Sequence, residues 1–217
     1  MTAYHSLADV YEFLTHEALL EPAGNVDAFA PWLPDGGRVL DCACGIGLLA
    51  AGLAERGFDV RASDASPEMV RRARARGVAA DVCRWEDLPA TADFDVVFCV
   101  GNSLAHARDR VAALRSMAGA LRPGGTLVLT SRNWEREQPS ESYEVERGGR
   151  RARVTYTWSG NEVDIAVVVG DQTVAERLEF FPFRSDELLA DLRAVGLEPG
   201  ESTFAADVDR YLVTARS

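Results

Sequence analysis

The chain has 217 residues, 47% of them hydrophobic and 26% charged, which is globular composition at a length that buries a core without staples. Its net charge of -11 disfavours nucleic acid and anionic membrane as main partners. Every basic residue is arginine, and the absence of lysine excludes a Schiff-base enzyme, a P-loop lysine and a lysine general base.

The first stretch, "MTAYHSLADVYEF", has no basic n-region; the first arginine is Arg38, and no apolar run is long enough to span a bilayer. The expectation is a soluble cytoplasmic protein. Ser6 to Leu20 read as a helix capped by Ser6, with Leu7, Val10, Leu14 and Ala18 on one face. "PWLPDGG" punctuates the chain before Arg38. Strands are then expected at "RVLDC", "FDVRASD", "GVAADVC" and "FDVVFCV", and helices at "GLLAAGLAERG", "SPEMVRRARARG" and "DRVAALRSMAGAL". "RPGG" reads as a turn and "TLVLTSR" as a further strand. This alternation means parallel strands joined by right-handed crossovers.

After Trp134 the texture is strand-like, with hairpin turns at "GGR" and "SGN", an antiparallel insertion read as lying on one sheet edge. "RSDELLADLRAVGL" is a helix with Ser185 as cap and Leu188, Leu189, Leu192 and Val195 on one face. "DRYLVTAR" is the last strand. Cys42, Cys44, Cys83 and Cys99 form no C-x-x-C, and no histidine sits at ligand spacing, so buried reduced thiols are expected and no metal.

Gly45 and Gly47 fall where the first strand turns into a helix. Glycine there permits positive φ and close approach of a ligand to the backbone. Ligands in open α/β sheets bind at the carboxyl ends of strands, and Asp64, ending the second strand, is placed to grip ribose hydroxyls. An adenosine-containing ligand is the leading candidate. A dinucleotide dehydrogenase wants G-x-G-x-x-G, but Ala50 stands at the third glycine.

Four features decide between families: Asp41 before the glycines, Asp64 in "SDASPEM", "FDVVFCVGNSLAH", and "LRPGG" before the fifth strand. Together the chain resembles the class I S-adenosylmethionine-dependent methyltransferases. Through "VLDCACGIG", "SDAS", "CVGNSLAH", "LRPGGTLVLTSRNWE" and "RLEFFPF" it is similar to the glycine and glycine/sarcosine N-methyltransferases. The resemblance implies one α/β domain over residues 1–217. It has a Rossmann-like, seven-stranded, mostly parallel sheet with helices on both faces, an N-terminal helical cap (1–35) and an antiparallel β insertion (136–183). It also implies S-adenosyl-L-methionine as cofactor, with Asp41, Ala43, Gly45 and Gly47 around its methionine end. Asp64 would hold the ribose, Ala65, Arg84 and Trp85 would flank the adenine, and Val100, Gly101 and Asn102 would lie under the sulfonium. Arg132 matches an arginine that holds the substrate carboxylate, and Tyr4 and Tyr11 are candidates to close the pocket. Phe180 and Phe181 stand where the glycine enzymes have tyrosines, implying a larger, more apolar acceptor site.

Each role has a plainer alternative. Asp64 and Asn102 are placed to cap turns or helices, Trp85 to fill core, and Arg132 to pair on the surface. Asn102 and His106 are the catalytic candidates, with His106 either a base or a helix-surface residue; His5 and His16 read as inert. The reaction expected is methyl transfer to a small-molecule amine, an amino acid or amino-bearing metabolite, by a monomer or homodimer. The alternatives are a small-molecule O-methyltransferase with His106 as base, and a non-catalytic adenosine-ligand module.

Overall fold

The structure is a computed structural model describing residues 4–16 and 19–217. A 3-10 helix at Ser6–Phe13 is followed by α1 (Pro22–Asp27), β1 (Arg38–Asp41), α2 (Leu48–Glu55), β2 (Asp59–Asp64), α3 (Pro67–Ala75), β3 (Ala80–Val82), β4 (Phe94–Cys99), α4 (Arg110–Ala120) and β5 (Leu121–Arg132). Four strands come next: β6 (Glu141–Arg147), β7 (Arg150–Ser159), β8 (Glu162–Val169) and β9 (Gln172–Glu179). α5 (Ser185–Ala194), β10 (Glu198–Ser202) and β11 (Arg210–Arg216) complete the chain.

Seven strands form one sheet in the order β10-β11-β5-β4-β1-β2-β3. β1 pairs in parallel with β2 and β4, Val39 standing opposite both Val60 and Val96. Only β11 runs against its neighbours. The strand order reverses between β1 and β4, which opens a crevice above their carboxyl ends. Alternate residues of the central strands feed opposite faces, as parallel strands covered on both sides require. Val39, Val96, Phe98 and Val128 pack with Leu49 and Leu53 of α2 on one face. Leu40, Val97, Leu127 and Leu129 pack with Leu114 and Met117 of α4 and Leu188 and Leu192 of α5 on the other.

The first helix is shorter and tighter than its sequence suggests. Leu7, Val10 and Phe13 are buried at a spacing of three, the repeat of a 3-10 helix. Ser6 does not cap it: the backbone N–H groups of His5, Ser6 and Leu7 donate to the Glu176 carboxylate on β9 at 3.1, 2.7 and 3.2 Å. Ala18 lies outside the described residues. "RPGG" is no free turn but part of β5. Leu121 stands opposite Phe94 and Thr126 opposite Val96, so the glycines sit in an irregularity of the ladder. A Cβ on Gly125 would lie 2.9 Å from the Phe94 carbonyl oxygen.

The antiparallel strands β6-β7-β8-β9 form a second sheet, not an addition to the edge of the first. Their apolar face needs cover. Val154, Val163, Ile165, Val167 and Leu178 find it against Leu7, Val10 and Phe13, so this sheet and the N-terminal helix close over the crevice together. α5 starts one residue earlier than expected, with Arg184 as cap. The Glu187 carboxylate accepts its backbone N–H at 2.8 Å, while the Ser185 N–H goes to Glu135. Cys42, Cys44 and Cys99 are buried free thiols; Cys83 is half-buried.

Candidate functional site

The crevice is a cavity of about 690 Å³, within the range of small-molecule sites. Its floor comes from the ends of β1 and β4 and its roof from the N-terminal segment and the second sheet. Asp41, Ala43, Gly45, Val100, Gly101, Asn102, Arg132, Tyr4 and Tyr11 all line it.

Asp41 ends β1 and is 1% exposed. One carboxylate oxygen has no hydrogen-bond partner, and burial pushes the group up to about 7 against the lowering effect of the Ala43 amide. A buried carboxylate without a partner is a place for a cation or a strong N–H donor. The two cavity glycines leave room beside it. Gly45 has φ 53°, and a Cβ there would meet only the Tyr11 ring, at 3.9 Å. Gly101 has φ 82°, and its Cβ would meet only Ser103 Oγ, at 4.0 Å. A ligand can therefore touch the backbone at both points.

Asn102 has a left-handed backbone (φ 73°) and is 6% exposed. Its Oδ1 accepts the Arg132 backbone N–H at 3.0 Å, and Gly101 N–H donates to Thr130 Oγ1 at 2.8 Å. These bonds lock the turn after β4 onto β5. Arg132 is half-buried. Its Nη1 donates to Gln138 Oε1 at 2.6 Å, and its guanidinium lies 5.6 Å from the Trp158 ring centre. Burial, with the nearby Arg210, holds its pKa below the ordinary value.

The remaining sequence candidates, Phe180 apart, do not line the cavity. Gly47 is required by packing: a Cβ there would lie 2.9 Å from Ala73 Cβ on α3. Asp64 holds the loop. Its two oxygens accept Gly45 N–H at 2.9 Å and Ser66 N–H at 2.8 Å, and burial raises its pKa. Ala65 follows it in the turn before α3. Trp85 is tied inward, its indole N–H donating to the Cys42 carbonyl at 2.9 Å, and Arg84 is exposed beside Glu86. His106 Nδ1 pairs with the Glu179 carbonyl at 3.2 Å, and its ring lies 4.3 Å from Phe180 and 5.5 Å from Tyr4. Burial pushes it down to about 4, so it is neutral and a weak base. Phe180 is on the cavity wall. Phe181 is not: its N–H donates to Ala105 and Arg108 stacks on its ring at 5.0 Å.

Sequence reasoning missed Tyr156 and Trp158 on the inner face of β7, Tyr211 and Arg210 on β11, and His16 on the exposed rim. The period-2 spacing of Tyr156 and Trp158 was the available signal for the first two.

Residues 39–125 match the methyltransferase domain family. Over that stretch the chain is similar to the class I S-adenosylmethionine-dependent methyltransferases. It is 38% identical to glycine N-methyltransferase of Rattus norvegicus over 120 residues, 45% of this chain and 41% of the relative. It is 42% identical over 106 residues to a ubiquinone biosynthesis O-methyltransferase of Xanthomonas oryzae, 45% of this chain and 44% of that one. The chain thus spans less than half the length of these relatives. The fold matches the CcbJ methyltransferase of Streptomyces caelestis with a TM-score of 0.81 at 21% identity, covering 100% of this chain and 98% of that one. The family cofactor is S-adenosyl-L-methionine, and the unpartnered Asp41 oxygen beside two open, positive-φ glycines fits a cationic ligand of that kind. No helix among the described residues is long and apolar enough to cross a membrane.

Proposed function

We propose that the protein transfers a methyl group from S-adenosyl-L-methionine to the amine of a small molecule, an amino acid or amino-bearing metabolite. The observation that carries this reading is the unpartnered Asp41 carboxylate under the Gly45 turn, at the switch point of a methyltransferase sheet. Asp41, Ala43, Gly45 and Gly101 would hold the donor, and Asp64 would set the loop while offering its remaining lone pairs to the ribose. When bound, the donor supplies an electrophilic methyl on a positively charged sulfur.

The chain's own residues exclude water and orient the acceptor. Tyr4, Tyr11, Tyr156, Trp158 and Phe180 wall the cavity. An apolar wall lowers the pKa of an acceptor amine and keeps its lone pair free. Arg132 and the Asn102 turn fix the acceptor's other end, which is a gain in proximity and orientation. The amine's lone pair forms the new C–N bond as the C–S bond breaks, and the ammonium product sheds its proton to solvent after release. No general base is needed on the attack, consistent with His106 being pinned and neutral outside the cavity.

O-methyl transfer is the second reading, favoured by the identity to the ubiquinone biosynthesis relatives and by His16 on the rim. The first reading also places a monomer or homodimer in the cytoplasm, without nucleic acid or membrane as partner. Labelled donor offered with amine, amino-acid and phenol panels, read by product mass, tests it. Methylated amines support the proposal; methylated phenols alone, or no turnover with the donor bound, overturn it.

A further inference from the structure

We infer that Arg132 and Arg210 form a two-guanidinium clamp for an oxyanion on the acceptor, a carboxylate or a phosphoryl group, which makes Arg210 a specificity residue of this site. The inference rests on the reading of the cavity as an acceptor site.

The antiparallel pairing of β11 with β5 sets Arg210 directly opposite Arg132. Both residues line the cavity. Like charges directly opposite on an antiparallel pair destabilise the sheet, so the arrangement works against folding unless something negative sits between them. No carboxylate among the described residues pairs with either of them. Among the described residues the Arg210 side chain makes no hydrogen bond or ion pair, and the Arg132 side chain hydrogen-bonds only the neutral Gln138 side chain. Glu141, Tyr4 and Tyr156 are close enough to influence Arg132 electrostatically, but none pairs with it.

Carboxylates are not scarce in a chain with 34 acidic residues, and other arginines hold them: Arg110 with Asp191 at 2.5 Å, Arg122 with Asp95 at 2.5 Å, Arg177 with Asp164 at 2.6 Å. Arg132 is half-buried and Arg210 exposed at the cavity's edge, and neither is ion-paired among the described residues of this protein of net charge -11. Among the described residues the one buried cavity carboxylate is Asp41; it ends β1, and β4 lies between β1 and β5. Strand spacing puts β1 about 10 Å from β5 and about 14 Å from β11, so Asp41 does not neutralise the pair. The cavity thus has a single acid at one end and two guanidinium groups at the other. Each guanidinium offers a planar fork of N–H donors, and two forks facing one space suit the two or three oxygens of an oxyanion.

The test titrates the parent protein and Arg210→Gln with sodium phosphate and with sodium acetate, against sodium chloride at matched ionic strength, by calorimetry and thermal shift. The donor is titrated separately. The parent should bind phosphate or acetate, and the preferred anion identifies the phosphoryl or the carboxylate source. Arg210→Gln should bind that anion about tenfold more weakly or worse, as loss of a charge-assisted hydrogen bond implies. Its donor affinity should be unchanged, and its Tm without anion equal to the parent's or higher because a like-charge pair is relieved. No anion-specific binding in the parent, equal binding in the variant, or a lowered Tm accompanying the loss would overturn the clamp. Failure of donor binding with anion binding intact would overturn the proposed function and leave the clamp standing.

Discussion

Asn102 Oδ1 accepts the backbone N–H of Arg132 at 3.0 Å and so ties the turn after β4 to the end of β5. Asn102 holds φ 73°, which asparagine tolerates better than alanine. Asn102→Ala is expected to lose the bond and strain the turn, lowering stability by about 1–3 kcal/mol. Asn102→Gly relieves the strain but not the lost bond. It should recover most of the stability while kcat/KM for the acceptor stays low in both variants. Thermal unfolding and steady-state kinetics check this, and parent-like kinetics in both variants would remove Asn102 from the site.

The Glu176 carboxylate takes three backbone N–H groups at the start of the N-terminal helix, a capping role supplied from about 170 residues away along the chain. Glu176→Ala should destabilise the protein by about 1–2 kcal/mol, the scale of a lost cap. It should also raise hydrogen exchange at Ser6 and Leu7 and weaken ligand binding, because Tyr4 and Tyr11 reach the cavity from this segment. Unchanged exchange at those amides would show that packing of Leu7, Val10 and Phe13 alone holds the roof.

The parallel sheet was legible because its signals are local. Each strand is a short apolar run, each helix has its own period, and Ser66 and Asp109 cap α3 and α4 with side-chain bonds to Met69 and Ala112. The glycine turn was legible for the same reason, and Gly45 and Gly101 carry the positive φ that the motif requires. What was missed depends on contacts between distant segments. Ser6 looked like a cap, but a carboxylate on β9 does the work. Gly47 takes the positive φ expected of it, but the sequence did not show that Ala73 of α3 stands where its Cβ would go. Arg210 carried no motif; only the register of β11 against β5 places it beside Arg132. His106 followed a plausible motif and was drawn away by the Glu179 carbonyl and Phe180.

His106→Phe tests the form of the O-methyl reading in which His106 is the base. The ring packs among Phe180 and Tyr4, so phenylalanine can keep its stacking contacts. On the amine reading kcat should stay within about threefold of the parent and the pH profile should not move. General-base roles contribute about 10²–10⁴-fold, so a loss of that size in a folded variant would restore the O-methyl reading.

Asp41 and His106 impose opposite pH dependences on stability, and variants expose each one. Burial raises Asp41 from its ordinary 3.8 to about 7, so across that interval the folded state binds more protons than the unfolded state. The Asp41 contribution therefore falls as pH rises from about 4 to 7. Burial lowers His106 from 6.5 to about 4, so between those values the unfolded state binds more protons. The His106 contribution is fully present above pH 6.5 and is lost as pH falls toward 4. Relative to the parent, Asp41→Asn should show a Tm that climbs more steeply between pH 4.5 and 6.5, a window about two units wide inside both intervals. His106→Phe should show a Tm that falls, or climbs less, across the same window. A cationic donor favours ionised Asp41, so donor affinity in the parent should decrease as pH drops below about 7, with proton release on binding. In Asp41→Asn the affinity should be lower, by about 1–3 kcal/mol, and nearly flat with pH. Scanning calorimetry at several pH values, with donor titrations in two buffers of different ionisation enthalpy, measures all of these. Parallel Tm profiles in the three proteins would show that neither group titrates where its burial places it. PH-independent donor affinity in the parent would show that the Asp41 carboxylate does not face the donor's charge.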